Sequence, residues 1–247
     1  MKQKQTFALK GNLIYTKEIG TLEILEQHYL VCEEGKVQGI YPELPEQLCG
    51  IPVEELGDRL IIPGLTDLHV HAPQYSFRSL NMDMELLEWL ETNTFPEESK
   101  FQDLDYAKKA YGIFTENVKH SATTRACIFA TIHNEATLLL MDQLEEAGIA
   151  AMVGKVNMDR NSPDYLRETS AEESAKATRA WIQAVAERHY EHVQPILTPR
   201  FTPSCSDELM ELLHGIQKET GLPVQAHLSE NPGEIAWVQE LCPWSKF

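Results

Sequence analysis

In the first sixty residues short apolar segments alternate with charged and turn-forming ones, which is the texture of strands rather than helices. Phe7-Ala8-Leu9, Asn12-Leu13-Ile14-Tyr15 and His28-Tyr29-Leu30-Val31-Cys32 are the candidate strands. Glu34-Gly35-Lys36 links 29–33 to Val37-Gln38-Gly39-Ile40-Tyr41, a hairpin in which Gly35 can take a positive φ. From Pro42 to Gly57 prolines and glycines among acidic residues predict a connection. This stretch holds no titratable cluster, so residues 1–62 are expected to be a structural part of a small β domain.

After Pro63 the pattern changes to strands alternating with helical periods. Met84–Thr92 and Asp103–His120 predict helices, the second with Ala107, Ala110, Tyr111, Phe114 and Val118 at helical spacing and Asp103 or Asp105 as its cap. Thr124–Thr131 and Ala150–Val156 predict strands around a helix over Glu135–Ala147 that Gly148 stops. Ser170 opens a helix to about Tyr190, Val193–Thr198 reads as a strand, and Ser206 caps a helix that ends at Gly221. Leu222–His227 is a further strand and Pro232–Leu241 a further helix. Five strands near 60–70, 124–131, 150–156, 193–200 and 222–228 imply a parallel sheet with covering helices over 63–247, either a barrel or a doubly wound sheet. No G-x-G-x-x-G follows the first strand, which counts against dinucleotide binding.

Composition narrows the class. The 247 residues carry 21 Lys and Arg against 38 Asp and Glu, a net charge of −17. That balance opposes a nucleic-acid surface. No apolar run approaches a membrane span, and basic Met1–Gln5 is not followed by the apolar stretch of a signal peptide, so the cytosol is the expected location. Five scattered cysteines with no C-x-x-C pair suit reduced thiols.

The chemistry gathers at strand ends. His69 and His71, at i and i+2 of one strand, leave it on one face and can share a metal ion. His227, at the end of the fifth strand, would add a third imidazole nitrogen. Glu230, three residues on, is placed to move protons. A core histidine and a helix N-terminal acid are the structural alternatives for His227 and Glu230.

Pro63-Gly64-Leu65-Thr66-Asp67-Leu68-His69-Val70-His71 resembles the first metal motif of the amidohydrolase superfamily. Gln225-Ala226-His227-Leu228-Ser229-Glu230 resembles the His-x-x-Glu segment of its metal-dependent deaminase branch. Within that branch the chain is similar to the guanine-acting family, through Ala72-Pro73-Gln74-Tyr75-Ser76-Phe77, Thr94-Phe95-Pro96-Glu97 and Thr198-Pro199-Arg200-Phe201. The resemblance implies a TIM-like (β/α)8 barrel preceded by part of a small β-sandwich. It implies one zinc ion per subunit on His69, His71 and His227, with Glu230 as proton shuttle. Gln74 would bond the purine edge, Arg200 would meet the six-position oxygen, and Phe201 would pack on the ring. The expected reaction is hydrolytic deamination of guanine to xanthine and ammonia in purine catabolism, by a homodimer when full length. Taken alone, Arg200 reads as a solvent-exposed arginine and Gln74 as a loop residue bonding its own backbone.

The resemblance also predicts a further histidine and a metal-binding aspartate after the fifth strand, and about five of eight barrel units are present. The chain is therefore expected to be the N-terminal part of a longer protein, poorly stable and weakly active alone. Two other readings stay open: a related deaminase acting on another purine, pyrimidine or triazine ring, and a non-catalytic product acting through protein interactions. A binuclear centre with a carboxylated lysine is disfavoured, because Lys155 lies near the end of the third strand and not the fourth.

Overall fold

The computed structural model describes residues 6–244. The basic opening Met1–Gln5, on which the signal-peptide expectation rests, lies outside them. Two compact units divide the chain, Met1–Gly64 and Leu65–Phe247.

The first unit is one four-stranded sheet. β1 (Thr6–Glu18) pairs antiparallel with β2 (Thr21–Glu33), β2 antiparallel with β3 (Lys36–Tyr41), and β1 parallel with β4 (Val53–Ile61). The expected hairpin is present, with Glu33 facing Lys36 and Gly35 at φ 76°. Two expectations need correction. The segments at 7–9 and 12–15 form one strand, and 42–57 is not all connection, because Val53–Glu55 pairs with β1. Leu60 and Ile61 also end β4 and do not begin the strand that carries His69. Pro63, which has no N–H, separates the two.

The second unit is α/β. β5 (Leu65–His71), β6 (Thr123–Phe129), β7 (Ala150–Gly154) and β9 (Val193–Pro195) form a parallel sheet in that order. β8 (Val156–Asn157) pairs parallel with β10 (Thr198–Pro199). Between the strands run α1 (Leu86–Trp89), α2 (Phe95–Ser99), α3 (Leu104–Lys119), α4 (Asn134–Ala147), α5 (Ala171–Arg188), α6 (Asp207–Thr220) and α7 (Pro232–Leu241). The predicted caps hold. Asp103 Oδ1 accepts the Asp105 and Tyr106 amides, Ser170 Oγ the Glu173 amide and Ser206 Oγ the Leu209 amide. Gly148 and Gly221 close α4 and α6 at φ 71° and 70°. A Cβ on Gly154 would overlap the Thr198 hydroxyl, so glycine is needed where these segments approach.

Strand parity explains the layering. Val70, Ala126, Ile128, Ala151 and Val153 pack against the helices, in one core with Tyr111 and Phe114 of α3, Leu140, Met141 and Leu144 of α4, and Trp181 of α5. The alternate residues of β5 and β6, His69, His71 and Phe129, point to the opposite face. Residues 222–227 depart from expectation. They make only the parallel bridges Leu197–Val224 and Phe201–His227, because Pro223 cannot donate and no described strand pairs on the far side.

Candidate functional site

β5 presents His69 and His71, and the bridge at Phe201 brings His227 opposite them. One ligand atom from each of the three imidazoles lies within 4.8 Å of the others. Phe129, at the end of β6, lies under all three, with its ring stacked 4.5 Å from that of His71. The Asp67 carboxylate accepts the His69 amide at 3.1 Å and fixes the strand end.

Hydrogen bonding fixes the tautomer of His227. His227 Nδ1 donates to the Arg200 carbonyl at 2.7 Å, leaving the lone pair on Nε2. His71 Nε2 is 2.9 Å from that atom, and His71 Nδ1 is buried with no hydrogen-bond partner. Burial, then the charge of Arg200 and the two neighbouring imidazoles, holds His71 well below the ordinary histidine range. Burial brings His227 to about 4 against the pull of its bond to the Arg200 carbonyl, with the Arg200 charge and His69 adding to the depression. At neutral pH both rings are therefore uncharged. Two neutral imidazoles whose free lone pairs converge repel each other unless a cation or a proton stands between them. The donor set fits a divalent ion that favours nitrogen, of which zinc is the common example.

Beside the imidazoles opens a cavity of about 630 Å³, lined by His69, His71, Gln74, Arg200, Phe201 and Glu230 together with Trp89 and the loop 78–84. The structure thus gathers every candidate site residue at one place. Arg200 is not solvent-exposed: only 2% of it is accessible. Its Nη1 and Nη2 donate to the two oxygens of Glu98 at 2.6 and 3.2 Å, and its guanidinium lies 5.3 Å from the Phe95 ring. Gln74 does not bond its own backbone; its Nε2 donates to Glu98 Oε1 at 3.4 Å.

Glu230 is placed by a second carboxylate. Glu234, in the first turn of α7, accepts the Ser229 and Glu230 amides at 3.1 and 2.7 Å, while Ser229 is held at φ 54°. Burial and then Glu234 raise the Glu230 carboxyl, against the pull of His69 and Arg200. A carboxyl raised towards neutrality suits both taking and giving a proton.

Three contributors escape the sequence reading. Glu234 is readable in principle, since Asn231-x-x-Glu234 has capping spacing and Asn231 Oδ1 accepts the Glu234 amide at 3.0 Å. Phe129 follows from strand parity once β6 is aligned with β5. Glu98 leaves no signal, because it lies about a hundred residues from the arginine it binds.

Comparison with known proteins shows the family to which the chain belongs. The amidohydrolase family model matches residues 60–245. Guanine deaminase of Dictyostelium discoideum is 41% identical over 95% of this chain and 56% of its own length. Guanine deaminase of Homo sapiens is 40% identical over 95% of this chain and 54% of its own. The crystal structure of guanine deaminase from C. acetobutylicum with guanine in its active site superimposes with a TM-score of 0.93. It is 45% identical, with 98% of this chain and 57% of that one covered. The chain spans about half the length of the curated relatives it matches.

Proposed function

Because the chain belongs to the amidohydrolase family, we propose that its second unit carries the zinc- and guanine-binding residues of a guanine deaminase. One observation carries the assignment: three converging imidazoles share a cavity with Gln74, Arg200, Phe201 and Glu230. Its volume of about 630 Å³ is ample for a purine.

His69, His71 and His227 would hold the ion. When bound, zinc lowers the pKa of water and so supplies a nucleophile at neutral pH. The protein residues do the rest. Arg200 directs N–H groups at the six-position oxygen, Gln74 meets the purine edge, and Phe201 offers a flat face to the ring. Water adds at the amino-bearing carbon and the C–N bond breaks. A Glu230 carboxylate oxygen takes the proton from water and passes it to the leaving nitrogen, so that ammonia departs and xanthine remains. We assign the strands of the second unit to about five units of a (β/α)8 barrel, and the β1–β4 sheet to one layer of the small β domain. The free thiols fit a reducing, cytosolic setting, and a homodimer is the expected assembly of the full polypeptide.

The test is made on the full polypeptide that carries these residues. Zinc content should be near one per subunit, chelation should abolish ammonia release from guanine, and added zinc should restore it. His71→Ala should lower turnover by about 100-fold or more. Full activity in metal-free protein, or no guanine turnover in zinc-loaded protein, would sink the assignment.

A further inference from the structure

Resting on the guanine assignment above, we infer that Glu98 is a positioning and specificity residue, which aims Arg200 and Gln74 at a neutral purine and makes the pocket unreceptive to an anionic one. Glu98 lies on α2, far in sequence from every residue of the β5 and His227 segments, and its side chain has no solvent exposure. One carboxylate meets three residues of the site. It binds Arg200 through both oxygens, accepts Gln74 Nε2 at 3.4 Å, and stands 4.0 Å from His71 Nδ1.

The geometry has two consequences. A guanidinium has five N–H donors, and Glu98 engages two of them. The others stay available on a group that now has one orientation, and Gln74 is drawn to the same anchor. Second, the carboxylate offsets the arginine charge at a site where both side chains are buried. The pocket therefore offers Arg200 as a directed donor to a carbonyl oxygen rather than as an unpaired cation. A buried ion pair adds little net stability compared with an apolar replacement, so its retention beside the cavity speaks for orientation.

The experiment uses hypoxanthine and urate as probes. Both carry a six-position oxygen, but near neutral pH hypoxanthine is uncharged and urate is an anion. Dissociation constants are measured calorimetrically on zinc-loaded full polypeptide, wild type against Glu98→Gln, with zinc content and thermal midpoint alongside. We expect Glu98→Gln to weaken hypoxanthine and to strengthen urate, shifting the ratio of their constants by about tenfold or more. A purely structural Glu98 would weaken both probes alike and leave the ratio unchanged, which overturns the inference. Glu98→Asp keeps the charge and loses reach. It should leave the probe ratio as in wild type, yet lower kcat/KM for guanine by about tenfold. If Glu98→Gln does not fold, this variant decides: folded, zinc-loaded Glu98→Asp with unchanged kcat/KM also overturns it. Failure of the guanine assignment shows separately, as absent turnover in the wild type.

Discussion

Two buried ion pairs in the second unit resemble each other in chemistry and differ in what lies around them. In the Glu98–Arg200 pair the arginine lines the cavity, and part of its guanidinium has no acceptor among the described residues. In the other pair Lys155 Nζ donates to Glu168 Oε1, while Glu168 Oε2 accepts the Met158 amide at 3.1 Å and the Ser174 hydroxyl at 2.5 Å. Ser174 Oγ in turn accepts from Asn157 Nδ2 at 2.8 Å, and neither Lys155 nor Glu168 borders the cavity. Glu168 is shared between Lys155, the Met158 amide and the Ser174 hydroxyl, all parts of the same chain. The Lys155 pair thus ties the segment between β8 and α5 to the strand ends, whereas the Arg200 pair holds donors ready for something outside the protein. Burial and charge alone do not separate the two; their place relative to the cavity does.

The sharpest way to break the comparison is Lys155→Ala. Burial already lowers the Lys155 ammonium, with the attraction of Glu168 opposing that shift. Removing the lysine leaves Glu168 buried without its cation, which should cost about 3–5 kcal/mol of unfolding free energy. Urea unfolding of the full polypeptide measures it, and replacing both Lys155 and Glu168 by Met should recover most of the loss. In the fraction that stays folded, zinc content and KM for guanine should match wild type. A loss under about 1 kcal/mol combined with a large rise in KM would show that the closed pair belongs to the site after all.

Which parts of this arrangement can be read in the sequence follows from their range. His69 and His71 are visible because strand parity is local: two residues apart means one face. The caps at Asp103, Ser170 and Ser206 and the stops at Gly148 and Gly221 are visible for the same reason. Arg200 and His227 become legible only through strand order, as residues that finish successive strands on one side of a sheet. Glu98 is not legible at all. It sits beside Glu97, which is taken up by Ser76, Tyr106 and Lys100, and only the folded chain distinguishes the carboxylate that turns inward from the one that stays near the surface. The span of β4 escapes local patterning because its pairing with β1 is parallel and distant, and nothing local in Pro42–Gly57 announces it.

A thiol next to the closed pair sharpens the contrast through pH. Cys205 Sγ donates to the Asn157 carbonyl at 3.2 Å, and burial pushes the thiol from 9.0 up to about 11. Between those values the unfolded chain releases the proton while the native chain keeps it, so the native state binds more protons and stability falls as pH rises. The contribution is whole below pH 9 and gone above pH 11, a difference of about 2–3 kcal/mol. Cys205→Ala should therefore flatten the alkaline limb of a stability–pH curve relative to wild type, whatever it does to stability at pH 7. An unchanged slope would mean that the thiol ionises in the native state without penalty. Catalytic constants at neutral pH should not follow this slope, because the closed side of the comparison does not face the cavity.

The smallest effect is expected at Ser174, which links the pair to α5. Its hydroxyl gives its proton to Glu168 and accepts from Asn157, so Ser174→Ala removes one charge-assisted bond and one neutral bond without removing a charge. Lys155 and the Met158 amide continue to satisfy Glu168, and Asn157 Nδ2 keeps its bond to Thr178 Oγ1 at 2.8 Å. Loss of about 1–2 kcal/mol follows, well below that of Lys155→Ala. The two substitutions should not add, because once Ser174 is gone Glu168 relies more heavily on Lys155; the double variant should lose more than the sum of the single losses, by about 0.5 kcal/mol or more. Strict additivity in a double-mutant cycle would dissolve the network into independent contacts. Coupling confined to Lys155, Glu168 and Ser174, and absent between any of them and Glu98, would establish that the two buried pairs hold different things: one the fold, the other the ring that enters the cavity.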